Sequence, residues 1–264
     1  MKIRTLLESV DVAVSMYSAI PMPQIEWNQQ NMKYMLCFFP LIGAVQAVLL
    51  LGWTALAPWL GINSVLFAAV ATLIPLVVTG GIHLDGFCDT VDALASHQTR
   101  EKKLEILKDP HTGAFAVMGC AAYLLFTFAL WSQPEEGFRL LCAQMMAVGY
   151  VFSRAMSAFA VVTFDCAKNS GLAHSFSSAA QKSRVRAVSA VVALLCAVLF
   201  LAVDLRFGAA ILVVCALTFW YYHHMAYGQF GGVTGDLAGW YLQVNELMIL
   251  LTVVVGSMIA LNMI

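Results

Sequence analysis

The sequence predicts an all-α, multi-pass membrane bundle of about seven transmembrane helices, with a short N-terminal interfacial helix and the N-terminus on the cytoplasmic side. Three observations predict it. Of 264 residues, 61% are hydrophobic and 11% charged, where a soluble domain carries about 25% charged residues. Mean hydropathy is +0.82. The few charges leave gaps long enough for bilayer crossings of about 20 residues each. With 14 Lys and Arg against 15 Asp and Glu, there is no basic footprint for nucleic acid. Residues 1–264 read as one transmembrane domain.

Residues 4–19 are expected to lie on or dip into the membrane, because Glu8 and Asp11 oppose a full crossing. The same two acids interrupt any signal-peptide core. From Tyr34 to Leu84 there are 51 residues without a charge. That is room for two crossings, near 36–57 and 62–79, with Pro58 and Gly61 marking the turn between them. The charge-free run 110–134 places a third near 114–132. A fourth, near 140–162, contains Arg154. Two more, near 187–203 and 207–226, flank a turn at Asp204 and Arg206. The last, near 241–262, contains Glu246.

Orientation follows Lys and Arg. The N-terminal segment and the loops 80–113 and 163–186 hold 11 of the 14, and the opposite side holds Arg139 and Arg206. These loops are therefore expected in the cytoplasm, with the chain in the lipid bilayer of the inner membrane. The seven cysteines form no CxxC pair and read as small packing residues.

The stretch Gly80-Gly81-Ile82-His83-Leu84-Asp85-Gly86-Phe87-Cys88-Asp89-Thr90-Val91-Asp92 carries the chemistry. Asp85, Asp89 and Asp92 stand at i, i+4 and i+7, so a helix puts them on one face over about 10 Å. Three carboxylates so close repel one another unless a cation neutralises them. Hard oxygens suit Mg²⁺ or Mn²⁺, and Asp89 is the natural bridging ligand. His83 is placed to contact a phosphate or to hydrogen-bond the aspartates.

A second constellation is Gly231-Gly232-Val233-Thr234-Gly235-Asp236, followed by Gln243 and Glu246. Its glycines permit close approach of backbone to an anion. Asp236 is a candidate for metal or phosphate work, Thr234 and Glu246 for holding substrate. Asp236 and Glu246 are about 15 Å apart on a straight helix, too far to share one ion. In the loop Lys108-Asp109-Pro110-His111-Thr112-Gly113, Lys108 can meet a phosphate as a point charge, with Asp109 beside it. Arg154, inside a crossing, must face the bundle and meet a carboxylate such as Glu246 or a bound phosphate. His223 and His224 read as interfacial. Asp165, His174, Lys182 and Arg184 lie in the second loop with site and solvent roles both open.

These blocks together resemble the adenosylcobinamide-GDP ribazoletransferase family, also called cobalamin synthase. The resemblance runs through Pro21-Met22-Pro23, Phe39-Pro40-Leu41-Ile42-Gly43, the Gly80–Asp92 segment, Lys108 to Gly113, Ser153-Arg154, Gly171-Leu172, and Gly232 to Asp236 with Glu246. It departs at Ala19, Ala93 and Lys108-Asp109-Pro110, where the family often has Arg, Gly and Arg-Asp-Ser. The resemblance implies phosphoryl transfer with Mg²⁺. The 3′-hydroxyl of α-ribazole, or of its 5′-phosphate, attacks the phosphorus of adenosylcobinamide-GDP nearer the cobinamide, and GMP leaves. It implies catalytic and metal roles for Asp85, Asp89, Asp92 and Asp236, with His83 or an aspartate taking the proton. It implies substrate contacts for Lys108, Asp109, Arg154, Thr234 and Glu246. A homo-oligomer is compatible with the sequence.

Two other readings compete. A membrane transferase of CDP-alcohol or prenyl type also uses spaced aspartates and Mg²⁺. A cation transporter would need polar groups through to the far side, where the crossings are almost wholly apolar.

Overall fold

Within a bilayer there is no water to pair with the backbone, so each segment closes its own hydrogen bonds and helices result. The computed structural model describes residues 3–23, 25–168 and 172–261. The helices are α1 (Ile3–Tyr17), α2 (Gln29–Met32), α3 (Met35–Phe38), α4 (Pro40–Trp59), α5 (Ser64–Thr79), α6 (Ile82–Ala95) and α7 (Arg100–Ile106). They continue with α8 (Ala114–Ser132), α9 (Glu136–Thr163), α10 (Leu172–Ala179), α11 (Lys182–Val203), α12 (Leu205–Met225) and α13 (Gly235–Leu261). A π-helical turn, Ala226–Phe230, precedes α13.

Among the described residues, six segments are long and apolar enough to cross a membrane: α4 with its lead-in from Met32, then α8, α9, α11, α12 and α13. The pair α5 and α6, bent by 95°, makes a seventh if the two count as one broken span rather than a re-entrant loop. The crossings lie where the charge gaps place them, and the differences are at their ends. Pro58, expected in a turn, sits in the last turn of α4. The connection is instead Leu60 and Gly61, with Gly61 at φ +63°, and the Asn63 side chain then caps α5 by accepting from the Leu66 N–H at 2.9 Å. α9 starts at Glu136 and α11 at Lys182, several residues before the apolar runs, because helical hydrogen bonding continues through a charged turn. Arg139 is thereby drawn into α9, its guanidinium 4.7 Å from the centre of the Phe67 ring.

α9 is the axis of the bundle. Its best window is 78% buried, against 22% for α8 and for α11, and it packs on α4, α11 and α13. Small residues let the backbones close up, as membrane helix packing requires. At Gly43 of α4, a Cβ would stand 2.4 Å from the Tyr150 carbonyl oxygen of α9. Leu125, Leu194 and Leu217 are exposed on the outer helices, as suits a lipid-facing surface. α1 spans 15 residues, about 22 Å, too short for a crossing. It buries Val12 and Ala13 and rests on α2 and α3.

The feature that positions the site is the bend after α5. Gly80 and Gly81 take φ of +63° and +83°, a left-handed pair that glycine adopts without steric cost. The chain turns there and lays α6 against α13 and α8.

Candidate active site

The expected aspartate face forms on α6, and α13 is pressed against it. A Cβ on Gly86 would stand 2.9 Å from both the Cα and the carbonyl oxygen of Asp236. One on Gly239 would stand 3.0 Å from the His83 carbonyl oxygen. With backbone meeting backbone, Asp236 in the first turn of α13 joins the α6 carboxylates, and Asp89 lies within the electrostatic reach of Asp85, Asp236 and Asp92. Asp85 is exposed, while Asp89 and Asp92 are half-buried.

Asp92 differs from the others. Its Oδ1 accepts from the Ala116 N–H at 3.3 Å, at the positive end of α8. Gly113 makes the room, since a Cβ there would fall 1.9 Å from Asp92 Oδ2. Asp92 thus ties α6 to the start of α8. Among the described residues no three His, Cys, Asp or Glu gather closely enough to enclose an ion. Mg²⁺ does not require such a cage: it keeps several waters and is commonly held by one or two carboxylates together with substrate phosphates. The set Asp85, Asp89 and Asp236, all hard oxygens with Asp85 open to solvent, fits that mode.

Thr234 is the N-cap of α13, its hydroxyl accepting from the Leu237 N–H at 3.2 Å, and it lies 3.5 Å from Asp236 Oδ2. The glycines before it bring chain to chain. Gly232, at φ +149°, leaves no room for a Cβ, which would be 2.4 Å from the Asp165 carbonyl oxygen. Val233 then pairs with residues 165–167, donating to the Asp165 carbonyl at 2.9 Å and accepting from the Ala167 N–H at 3.0 Å. The close approach expected toward an anion is made toward this segment.

His83 lies in the first turn of α6, 5% exposed, beside Tyr17 and Phe39 with ring centroids 6.3 and 5.5 Å away. Neither ring nitrogen has a hydrogen-bond partner. The ring, with Asp85 and Asp236, lines a cavity of ≈ 300 Å³.

Arg154 turns into the bundle. Its Nη1 donates to Glu246 Oε1 at 2.6 Å and to the Tyr150 carbonyl at 2.8 Å, with the two side chains 1% and 3% exposed. Of the two partners expected for Arg154, a carboxylate or a phosphate, the structure supplies the carboxylate. Asn245 Nδ2 donates to Ser153 Oγ at 2.8 Å, a second tie between α9 and α13 that the sequence did not flag.

The loop residues are less concentrated. Asp109 Oδ1 accepts from the His111 N–H at 2.9 Å and meets its ring at 2.7 Å, which holds the carboxyl below its usual value. Lys108 is exposed and lies near Lys168, whose ammonium is pushed down by partial burial and by the Lys108 charge. Lys168 also donates to the Leu104 carbonyl at 2.9 Å. This pair of ammonium groups was missed because its members lie 60 residues apart in the chain. His223 packs against Phe164 and Tyr227, and Asp165 is held by the Tyr227 hydroxyl. Gly171 lies outside the described residues, as do the side chains of Leu172 and His174.

A family model described as cobalamin-5-phosphate synthase matches residues 9–254. The chain belongs to that family. A relative from Lachnoclostridium phytofermentans, named adenosylcobinamide-GDP ribazoletransferase, is 42% identical over 252 residues, 95% of each chain. One of the same name from Clostridium botulinum strain Alaska E43 is 33% identical, covering 93% of this chain and 96% of the relative. Another, from Pseudomonas savastanoi pv. phaseolicola, is 34% identical over 82% and 86%. No solved structure matches. The aspartate face, the Arg154–Glu246 pair and the cavity all lie within the stretch matched to the cobalamin-5-phosphate synthase family.

Proposed function

We propose that the end of the bundle where α6 meets α13 is the active site at which adenosylcobinamide-GDP is joined to ribazole in cobalamin biosynthesis. The function follows from the family and from the names of the relatives. The observation that carries the assignment of the site is the glycine contact of α6 with α13, which brings Asp236 to the aspartate face of α6, with Asp85 and Asp236 both lining a cavity. Family membership sets aside the CDP-alcohol, prenyl and transporter readings.

The chain's residues have distinct tasks in this reading. Asp85, Asp89 and Asp236 hold Mg²⁺, with Asp92 supporting them from the α8 side. Held by these carboxylates, Mg²⁺ would supply charge neutralisation for the pyrophosphate. Lys108, joined by Lys168, takes a phosphate oxygen, which relieves the repulsion between the two ammonium groups. Asp109 fixes the turn that presents Lys108. The ribazole 3′-oxygen attacks the phosphorus nearer the cobinamide, the bond from that phosphorus to the GMP oxygen breaks, and the hydroxyl proton passes to a carboxylate oxygen of the cluster left free of the metal. Thr234 holds the first turn of α13 in place for Asp236. Arg154 and Glu246 keep α9 and α13 in register beneath the site.

The Lys and Arg excess supports placing this end in the cytoplasm, with the chain in the inner membrane. The test is GMP release by purified protein in nanodiscs. The expected result is release that requires ribazole, adenosylcobinamide-GDP and Mg²⁺, and that stops with EDTA and returns with added Mg²⁺. Release indifferent to EDTA would remove the metal role of the carboxylates.

A further inference from the structure

The cavity beside the carboxylates has a composition that selects among the parts of the two substrates. It is walled by α1, α3, α6, α9, α10 and α13, with Phe39 between α3 and α4, and holds ≈ 300 Å³, at the small end of the range for small-ligand pockets. Three aromatic side chains, Tyr17, Phe39 and Phe176, bound it on one side. Its other walls are almost wholly aliphatic. The polar groups are few: the Tyr17 hydroxyl, His83, Ser157, Asp85 and Asp236. His83 is more than nine-tenths buried, with both ring nitrogens unpaired. Buried polar groups are nearly always hydrogen-bonded, and an orphan in an apolar wall calls for a partner that the chain itself does not supply.

Resting on the function proposed above, we infer that this cavity receives the benzimidazole base of ribazole, with His83 donating a hydrogen bond to the free ring nitrogen of the base. The chemistry of the walls decides between candidates. Guanine carries donors and acceptors around most of its edge, and the aliphatic and aromatic parts of the wall would leave those turned away from Asp85, Asp236, His83 and Ser157 unpaired at a cost. The corrin macrocycle is too large for the volume. A lipid chain would leave His83 orphaned and press methylenes against two carboxylates. A dimethylbenzimidazole is flat and apolar and has a single free nitrogen acceptor. It satisfies an aromatic wall by stacking and His83 by one hydrogen bond. Asp85 and Asp236 line the same cavity, so the ribose of a base seated there can present its 3′-hydroxyl to the carboxylates.

Two measurements test this, and ribazole-dependent GMP release by the wild-type protein is the separate check on the function. In the first, Ala158→Phe fills the cavity from α9, where Ala158 is one of the lining residues. The expected result is a KM for ribazole raised about 10-fold or more, with the KM for adenosylcobinamide-GDP unchanged within about 2-fold. A rise in the donor KM instead, or no change in either, overturns the proposal while leaving the function standing. The second needs no variant. Diethyl pyrocarbonate modification of His83 in the wild-type protein, read by mass spectrometry, should be blocked by ribazole and not by GMP. A His83 that is unreactive without ligand, or equally protected by GMP, overturns it as well. Absence of ribazole-dependent GMP release by the wild-type protein overturns both the function and the pocket.

Discussion

Gly86→Ala is the sharpest probe of how the site is assembled. The added Cβ would stand 2.9 Å from two backbone atoms of Asp236, where ordinary contact is 3.4–4 Å. Neither atom can rotate away, so α6 must retreat from α13 by at least about 0.5 Å. Overpacking of this kind costs about 1–3 kcal/mol of stability. A misplacement of about 1 Å costs on the order of 100-fold in rate, so a shift of half that or more should lower kcat roughly 10- to 100-fold. The assay is GMP release at saturating concentrations of both substrates, with thermal unfolding measured on the same preparation. Gly52→Ala is the control: it is also in a long helix, but a Cβ there meets nothing within 4 Å. Wild-type turnover in Gly86→Ala, or an equal loss in Gly52→Ala, would refute the reasoning.

Removing one partner of the buried Arg154–Glu246 pair, as in Arg154→Leu, should destabilise the protein by about 3–5 kcal/mol, and Arg154→Leu with Glu246→Leu should recover much of that; simple addition of the two single losses in thermal unfolding would count against the pair as a structural joint. Asp89→Ala should lose about 100-fold or more in turnover, roughly 3 kcal/mol of transition-state stabilisation, and near-normal turnover in a folded variant would remove Asp89 from the site. Gly113→Ala should displace Asp92, because its Cβ would fall 1.9 Å from a carboxylate oxygen, and lower activity about 10-fold; an unaffected rate would show that the Asp92 link to α8 is dispensable. Cysteines placed at positions 100 and 184 should resist an impermeant thiol reagent in sealed cells, and ready labelling would reverse the proposed topology.

The crossings were legible because lipid excludes charge, so the gaps in Asp, Glu, Lys and Arg marked them directly. Helix ends were less so: the charged turns at Glu136 and Lys182 remain helical, and Pro58 stays within α4 although it has no N–H to donate to the preceding turn. The aspartate register was legible because it is local, fixed by 3.6 residues per turn. The cavity was not, since Tyr17, Phe39, His83 and Phe176 come from segments as much as 159 positions apart and read singly as packing residues. The roles of Gly86, Gly113 and Gly239 were hidden for a similar reason. A glycine in a sequence shows where a side chain is missing but not which distant backbone or carboxylate fills the space.

The distance along the chain between Arg154 and Glu246 bears on biosynthesis. Arg154 enters the membrane with α9, and its partner follows 92 residues later. At an elongation rate of about 5–20 residues per second that delay is roughly 5–20 s. Throughout it a guanidinium sits in the bilayer with no counter-ion, while α11 and α12 are still being delivered. Only the arrival of α13 neutralises it. The arrival of α13 therefore closes the assembly electrically, and a chain that stops short of it leaves Arg154 without its carboxylate at the heart of the bundle.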